Sequence, residues 1–139
     1  MNAGINAGYS GTPLAKKLGF KPGMRVLLTD MPQAVRDDIA RDCADLIEVS
    51  APPEPFFAAH LFTTERAVLE RELPVLMAAM ERDGFIWLSW PKKASKVPTD
   101  ITEDTIRAVA LPIGLVDVKV CAVDAVWSGL KLMIRKELR

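Results

Sequence analysis

Apolar and polar positions along this chain switch repeatedly between a strand period and a helix period, and their order predicts an α/β sheet. Met24-Arg25-Val26-Leu27-Leu28 is a short, mostly apolar run, as expected of a central parallel strand covered on both faces. Val35, Ile39 and Cys43 then recur every four residues as one stripe, which predicts a helix with Pro32 in its first turn and Asp30 placed to cap it. Leu46 to Val49 reads as a second strand. Ala51-Pro52-Pro53-Glu54-Pro55 forbids both helix and ladder and reads as a rigid connector. Phe56 to Thr63 is the third strand, with Thr63 or Thr64 placed to cap the next helix. That helix starts near Glu65 and carries Val68, Leu69, Leu73, Leu76, Met77 and Met80 at mixed three and four spacings; Pro74 inside it predicts a kink or a split.

Gly84 follows as a left-handed helix cap, and Phe85 to Trp90 is the fourth strand, stopped by Pro91. Asp100-Ile101-Thr102-Glu103 has the spacing of a capping box, so a helix with inner face Ile106, Val109 and Ala110 starts near Ile101 and closes at Pro112 and Gly114. Two alternating runs, Val116 to Val123 and Leu130 to Arg135, are close enough in sequence to pair as an antiparallel hairpin. Residues 1–21, rich in glycine, form an N-terminal arm in which Pro13 starts a short helix ended by Gly19; it docks through Leu14 and Leu18. The whole chain, 1–139, reads as one Rossmann-like α/β domain, a mostly parallel sheet with a C-terminal antiparallel hairpin.

The run Leu18-Gly19-Phe20-Lys21-Pro22-Gly23-Met24-Arg25-Val26-Leu27 resembles the approach to the first strand of Rossmann-like S-adenosylmethionine-dependent methyltransferases. Asp83-Gly84-Phe85-Ile86-Trp87 and the closing hairpin are similar to the back half of that fold. The resemblance implies a strand order of second, first, third, fourth, sixth, fifth. It also implies that any cofactor would be held at Thr29, Asp30 and Thr63. Where those methyltransferases carry an acidic-x-Gly-x-Gly loop, however, this chain reads Leu28-Thr29-Asp30-Met31-Pro32. Without glycine the backbone approach narrows, and the expectation is a core without its usual cofactor. Glu48 is the only stand-in for the acid that would hold a ribose, and the segment Ser50 to Ala58 is short for a crossover between parallel strands. Longer motifs, Gly8-Tyr9-Ser10-Gly11-Thr12-Pro13-Leu14, Ser89-Trp90-Pro91-Lys92-Lys93-Ala94-Ser95 and Lys119-Val120-Cys121-Ala122-Val123-Asp124 with Trp127-Ser128-Gly129-Leu130-Lys131, resemble a small bacterial family of unknown function. That resemblance implies a shared fold and no known reaction, so it carries over no catalytic residue.

Composition narrows the classes of function. Lys plus Arg and Asp plus Glu number 18 each, so no global field steers the chain to nucleic acid or an anionic membrane. The apolar runs fall short of the roughly 20 residues that span a bilayer, and the N-terminus has no signal-peptide pattern, so a cytoplasmic protein is expected. Cys43, Cys121 and the single histidine, His60, have no metal-ligand spacing. His60 lies inside the third strand and reads as a core or edge histidine with one hydrogen bond, the other reading being a ligand or an acid-base group.

No nucleophile, paired-carboxylate or phosphate-loop signature is present, so no catalytic residue is assigned. The best candidate chemistry lies just past the fourth strand, at the carboxyl edge where open α/β sheets bind ligands. There Lys92, Lys93 and Ser95 could hold an anion. Asp124 and Trp127 offer a polar turn with an aromatic lid, or simply a hairpin closure. Tyr9 and Ser10 of the arm could fold over the mouth. The sequence therefore points first to a non-enzymatic binding or interaction module that takes a small anionic ligand or a protein partner, with self-association through the hairpin edge as a further possibility. The alternative is a minimal S-adenosylmethionine-dependent methyltransferase or other group-transferase with an atypical cofactor site using Asp30, Thr63 and Lys92.

Overall fold

The computed structural model describes residues 11–50 and 54–139. Six strands form one sheet in the order β2-β1-β3-β4-β6-β5, the order expected. The strands are β1 (Arg25–Thr29), β2 (Ile47–Glu48), β3 (Phe56–Phe62), β4 (Met80–Pro91), β5 (Leu115–Ala122) and β6 (Trp127–Ile134); the helices are α1 (Leu14–Leu18), α2 (Gln33–Asp42), α3 (Arg66–Ala79) and α4 (Glu103–Ala110). β1 pairs parallel with β2 and β3, and β3 with β4; β6 runs antiparallel between β4 and β5.

Each central strand sends alternate side chains to two apolar layers. Ala59, Leu61, Ile86 and Leu88 meet Leu69, Leu73 and Leu76 of α3 and Ile106 and Ala110 of α4. Ala58, Phe62, Phe85 and Trp87 meet Leu14 and Leu18 of α1 and Val35 and Ile39 of α2. The arm therefore docks as expected, and Gly19 ends α1 in the left-handed conformation at φ 79°. The indole N–H of Trp87 donates to the Leu18 carbonyl at 2.7 Å, tying that short helix to β4.

The short connection from β2 to β3 is allowed because β2 has only two residues. Val26 pairs with Glu48 on one side and Ala58 on the other, so the returning chain crosses a single strand and backs up only two residues. Arg25 braces it, donating to the Pro55 carbonyl at 3.1 Å. Connector residues 51–53 lie outside the described residues.

Four local readings are corrected. Asp30 does not cap α2; Pro32 holds that position without a side-chain bond, and Asp30 stands exposed before it at φ 56°. Gly84 is not a helix cap but lies within β4, where a Cβ would come 2.0 Å from the Phe57 carbonyl oxygen. It is glycine because the bulged register, Phe56 with Met80 and then Ala58 with Phe85, presses the two backbones together. Met80 does not lie on α3, which ends at Ala79 with Pro74 inside it and no split, but opens β4. Asp100 does not cap α4: Thr102 does, in a capping box with Thr105. The Asp100 carboxylate instead accepts the Arg66 amide at 2.7 Å and caps α3, with Thr63 Oγ1 accepting the preceding Glu65 amide at 3.1 Å.

Candidate functional site

The strand order reverses between β1 and β3, since β1 leads out to β2 on one side and β3 leads to β4 on the other. In open α/β sheets the crevice outside the carboxyl ends of such a pair is the ligand site. Thr29 ends β1 opposite Leu61, and Thr63 follows the last residue of β3, so the two threonines flank this crevice with Asp30 beside them. Met31 turns into the core at 7% exposure, away from the mouth.

The left-handed Asp30 gives the β1–α2 turn the backbone conformation for which glycine is usually required. Its carboxylate has no hydrogen-bond partner among the described residues. The helix behind it begins without a side-chain cap, and Pro32 supplies its carbonyl to the Val35 and Arg36 amides at 3.0 and 3.1 Å. The Gln33 and Ala34 amides thus face the carboxyl edge of β1 as free donors. These groups fit a ligand with hydroxyl and carboxylate groups, such as a nucleoside cofactor with an amino-acid tail. Glu48 differs from the usual ribose-binding acid. Both its oxygens accept from Arg36, each at 2.9 Å, and this pairing holds its carboxyl below the ordinary range. The pair is half-exposed and worth at most about 1 kcal/mol, so a ligand could open it.

Across β3, His60 and Ser89 form a fully buried pair, Nε2 to Oγ at 2.7 Å, between the rings of Phe62 and Trp87. Burial pushes the imidazole down to about 3, so it is neutral, and Nδ1 has no partner among the described residues. The backbone carbonyl of Ser89 also accepts the Thr63 amide at 3.1 Å, which ties Thr63 to β4. His60 matches its reading as a core histidine; its partner Ser89 could not be seen because the two are diagonal across neighbouring strands.

The lysine turn lies at the far end of β4 and meets the hairpin turn. The Lys92 amide donates to the Val126 carbonyl at 2.7 Å, so Lys92, Asp124 and Trp127 are neighbours as the sequence motifs suggest. Their side chains are differently placed. Asp124 accepts the Val126 and Trp127 amides, both at 2.8 Å, and closes the hairpin. Trp127 packs edge-on against Phe62 with ring centres 5.1 Å apart. Ser95 donates its hydroxyl to the Lys92 carbonyl at 2.6 Å and accepts the Val97 amide, so it shapes the turn. Lys93 and Lys96, rather than Lys92 and Lys93, line a cavity of about 690 Å³ against α4. Tyr9 and Ser10 lie outside the described residues. Among the described residues no group of three metal-ligating side chains occurs, and no helix is long and apolar enough to cross a membrane.

No family model matches the chain, and no curated protein matches it in sequence, so the bacterial family suggested by its motifs gains no support. Solved structures do match in fold. A SAM-dependent methyltransferase from Aquifex aeolicus superimposes with a TM-score of 0.63 at 15% identity, over 87% of each chain. A type 11 methyltransferase from Sulfolobus solfataricus, so described provisionally, gives 0.54 at 12% identity, over 88% of this chain and 90% of that one. A methyltransferase from Pyrococcus furiosus gives 0.54 at 10% identity, over 86% of this chain and 78% of that one. These likenesses establish a methyltransferase-like Rossmann fold. They also correct the first functional expectation: the structures that share this sheet are methyltransferases, which favours the transferase alternative over a non-enzymatic binding or interaction module.

Proposed function

We propose that this chain is a minimal group-transferase that binds S-adenosylmethionine or a closely related nucleoside cofactor in the crevice between β1 and β3. The observation that carries the reading is Asp30: a non-glycine residue held at φ 56° in the turn that leaves β1, beside the reversal of strand order. Such a conformation costs about 1 kcal/mol or more in an aspartate and collects at ligand clamps. Thr29, the Asp30 carboxylate and the free Gln33 and Ala34 amides form the cofactor side; Thr63, tied to β4 through the Ser89 carbonyl, faces them. The fold shared with known methyltransferases supports the same reading. When bound, the cofactor supplies an electrophilic sulfonium methyl group. The protein's contribution is then to hold donor and acceptor in line and exclude water, which needs no nucleophilic side chain and is worth up to about 7–11 kcal/mol. The lack of a catalytic signature is compatible with that chemistry.

Thermal unfolding with S-adenosylmethionine and S-adenosylhomocysteine tests the reading. At a hundred times the dissociation constant the ligand should stabilise the fold by about 2.7 kcal/mol. Asp30→Ala should weaken binding about tenfold, the equivalent of 1.4 kcal/mol for one lost charge-assisted hydrogen bond. An unmoved midpoint at saturating concentrations of both compounds rejects the proposal.

A further inference from the structure

The cavity beyond β4 is separate from the cofactor crevice, and none of Thr29, Asp30 and Thr63 lines it. Its volume of about 690 Å³ falls within the ~300–1,000 Å³ of small-molecule sites. Its floor is apolar: Trp90 and Ile101 are buried at 7% and 2% exposure, and Val97 lies open at 40%. An exposed valine beside a buried tryptophan leaves apolar surface for a ligand to cover.

The charges around this floor are unequally committed. Arg107 donates to Glu103 at 3.0 Å and to Asp104 at 3.2 Å, so the acids on the α4 side are already paired; it also holds Asp117 at 2.9 Å. Lys93 and Lys96 face them from the turn after β4, and neither ammonium has a hydrogen-bond or ion-pair partner among the described residues. Lys96 takes φ 62°, the left-handed region, at the end of that turn. It closes the turn as a left-handed cap, its amide donating to the Lys93 carbonyl at 3.1 Å, which fixes where both lysines leave the backbone. Ser95 stabilises the same turn from within, through its bonds to Lys92 and Val97.

We infer that this cavity binds a small organic anion, with its apolar body on Trp90, Val97 and Ile101 and its negative group between Lys93 and Lys96. A cation would meet two free ammonium groups, and the lining as a whole carries three cations, Lys93, Lys96 and Arg107, against the two acids Glu103 and Asp104, both of which Arg107 already engages. A wholly apolar ligand would leave those ammonium groups without a counter-charge, and gains nothing from them. The inference does not depend on the transferase reading, because it concerns different residues and a different ligand.

The test is a titration of the ¹⁵N-labelled full chain with 2-naphthoate, followed by amide and indole NMR shifts. Neutral 2-naphthalenemethanol is the control. Naphthoate should shift the amides of Lys93 to Ile101 and the Trp90 indole, and bind about tenfold more tightly than the neutral compound. Lys93→Glu/Lys96→Glu should remove that advantage while leaving the rest of the spectrum in place, since both lysines are exposed. The wild-type affinity should also fall as salt is raised, because the pairing is at the surface. Shifts confined to other regions, equal binding of the neutral compound, or unchanged naphthoate binding by the double variant would each overturn the inference. Should the double variant fail to give a folded spectrum, Lys93→Gln/Lys96→Gln decides by the same criterion.

Discussion

At the scale of single residues, His60 shows how burial decides the chemistry of a side chain. A lone histidine in sequence is a candidate acid, base or ligand; here it is enclosed by aromatic rings, bonded to Ser89 and held neutral, with its pKa lowered to about 3 by desolvation. The consequence is a pH dependence of stability. In the unfolded chain the imidazole titrates near 6.5, so between that value and about 3 the unfolded state binds a proton that the folded state refuses. Stability is therefore complete above pH 6.5 and falls as pH drops, by up to about 1.4 kcal/mol per unit for this one group. The carboxyls lowered by ion pairing, Glu48 and Asp117, titrate below this range in the unfolded chain, so pH 5 to 6.5 isolates the histidine. Urea unfolding of the wild type should show the slope in that window, and His60→Gln should flatten it. An unchanged slope in the variant would place the effect elsewhere. Asp30 teaches the complementary lesson, since its identity was visible in sequence but its backbone conformation was not.

Among the elements, the helix ends carry the least expected result. Asp100 and Thr102 both carry a side-chain oxygen just ahead of α4, and the spacing of Asp100 to Glu103 suggests that Asp100 is the cap. Thr102 takes that role because its hydroxyl reaches the Thr105 amide at 3.2 Å while the Thr105 hydroxyl returns the bond to the Thr102 amide. Asp100 is thereby free to reach 34 residues back in the chain to the Arg66 amide, while its own amide donates to the Thr64 carbonyl at 3.3 Å. The start of α4 and the start of α3 are thus held as a unit at the carboxyl edge of the sheet. Asp100→Ala should cost about 1 kcal/mol. Hydrogen exchange should quicken at the first turn of α3, around Arg66, while the α4 amides around Thr105 stay protected. Loss of protection at α4 alone would contradict the assignment.

For the whole molecule, the sheet is assembled from distant parts of the chain. β1 pairs with β3 across the whole of α2 and β2, and β4 pairs with β6 across α4 and β5. Lys17 of α1 donates to the Ala122 carbonyl 105 residues away. Loop closure has to precede most of these contacts, so refolding should take about milliseconds to seconds rather than microseconds. Stopped-flow fluorescence of the tryptophans measures this directly; Trp87, buried between α1 and β3, reports the final docking. A microsecond phase carrying the full amplitude would be inconsistent with this topology.

Hydrophobic period, proline and glycine punctuation and the apolar pair Leu14 and Leu18 were enough for most of the elements and the α/β class, because these signals are local or simply additive along the chain. The order of the strands came instead from the resemblance to methyltransferases, since no local signal says which strands pair. The sequence also located the carboxyl-edge region that contains the candidate sites, with Thr29, Asp30, Thr63 and the lysine turn. Only the tertiary structure decided how those residues are used. Strand register brought His60 to Ser89 and pressed Gly84 against Phe57; competition among neighbouring caps sent Asp100 to α3; and the turn after β4 placed Lys96, one residue beyond the motif, in the cavity beside Lys93. Each of these depends on which groups meet across elements, where a shift of one residue exchanges the buried and exposed faces, and no property of an isolated segment records that choice.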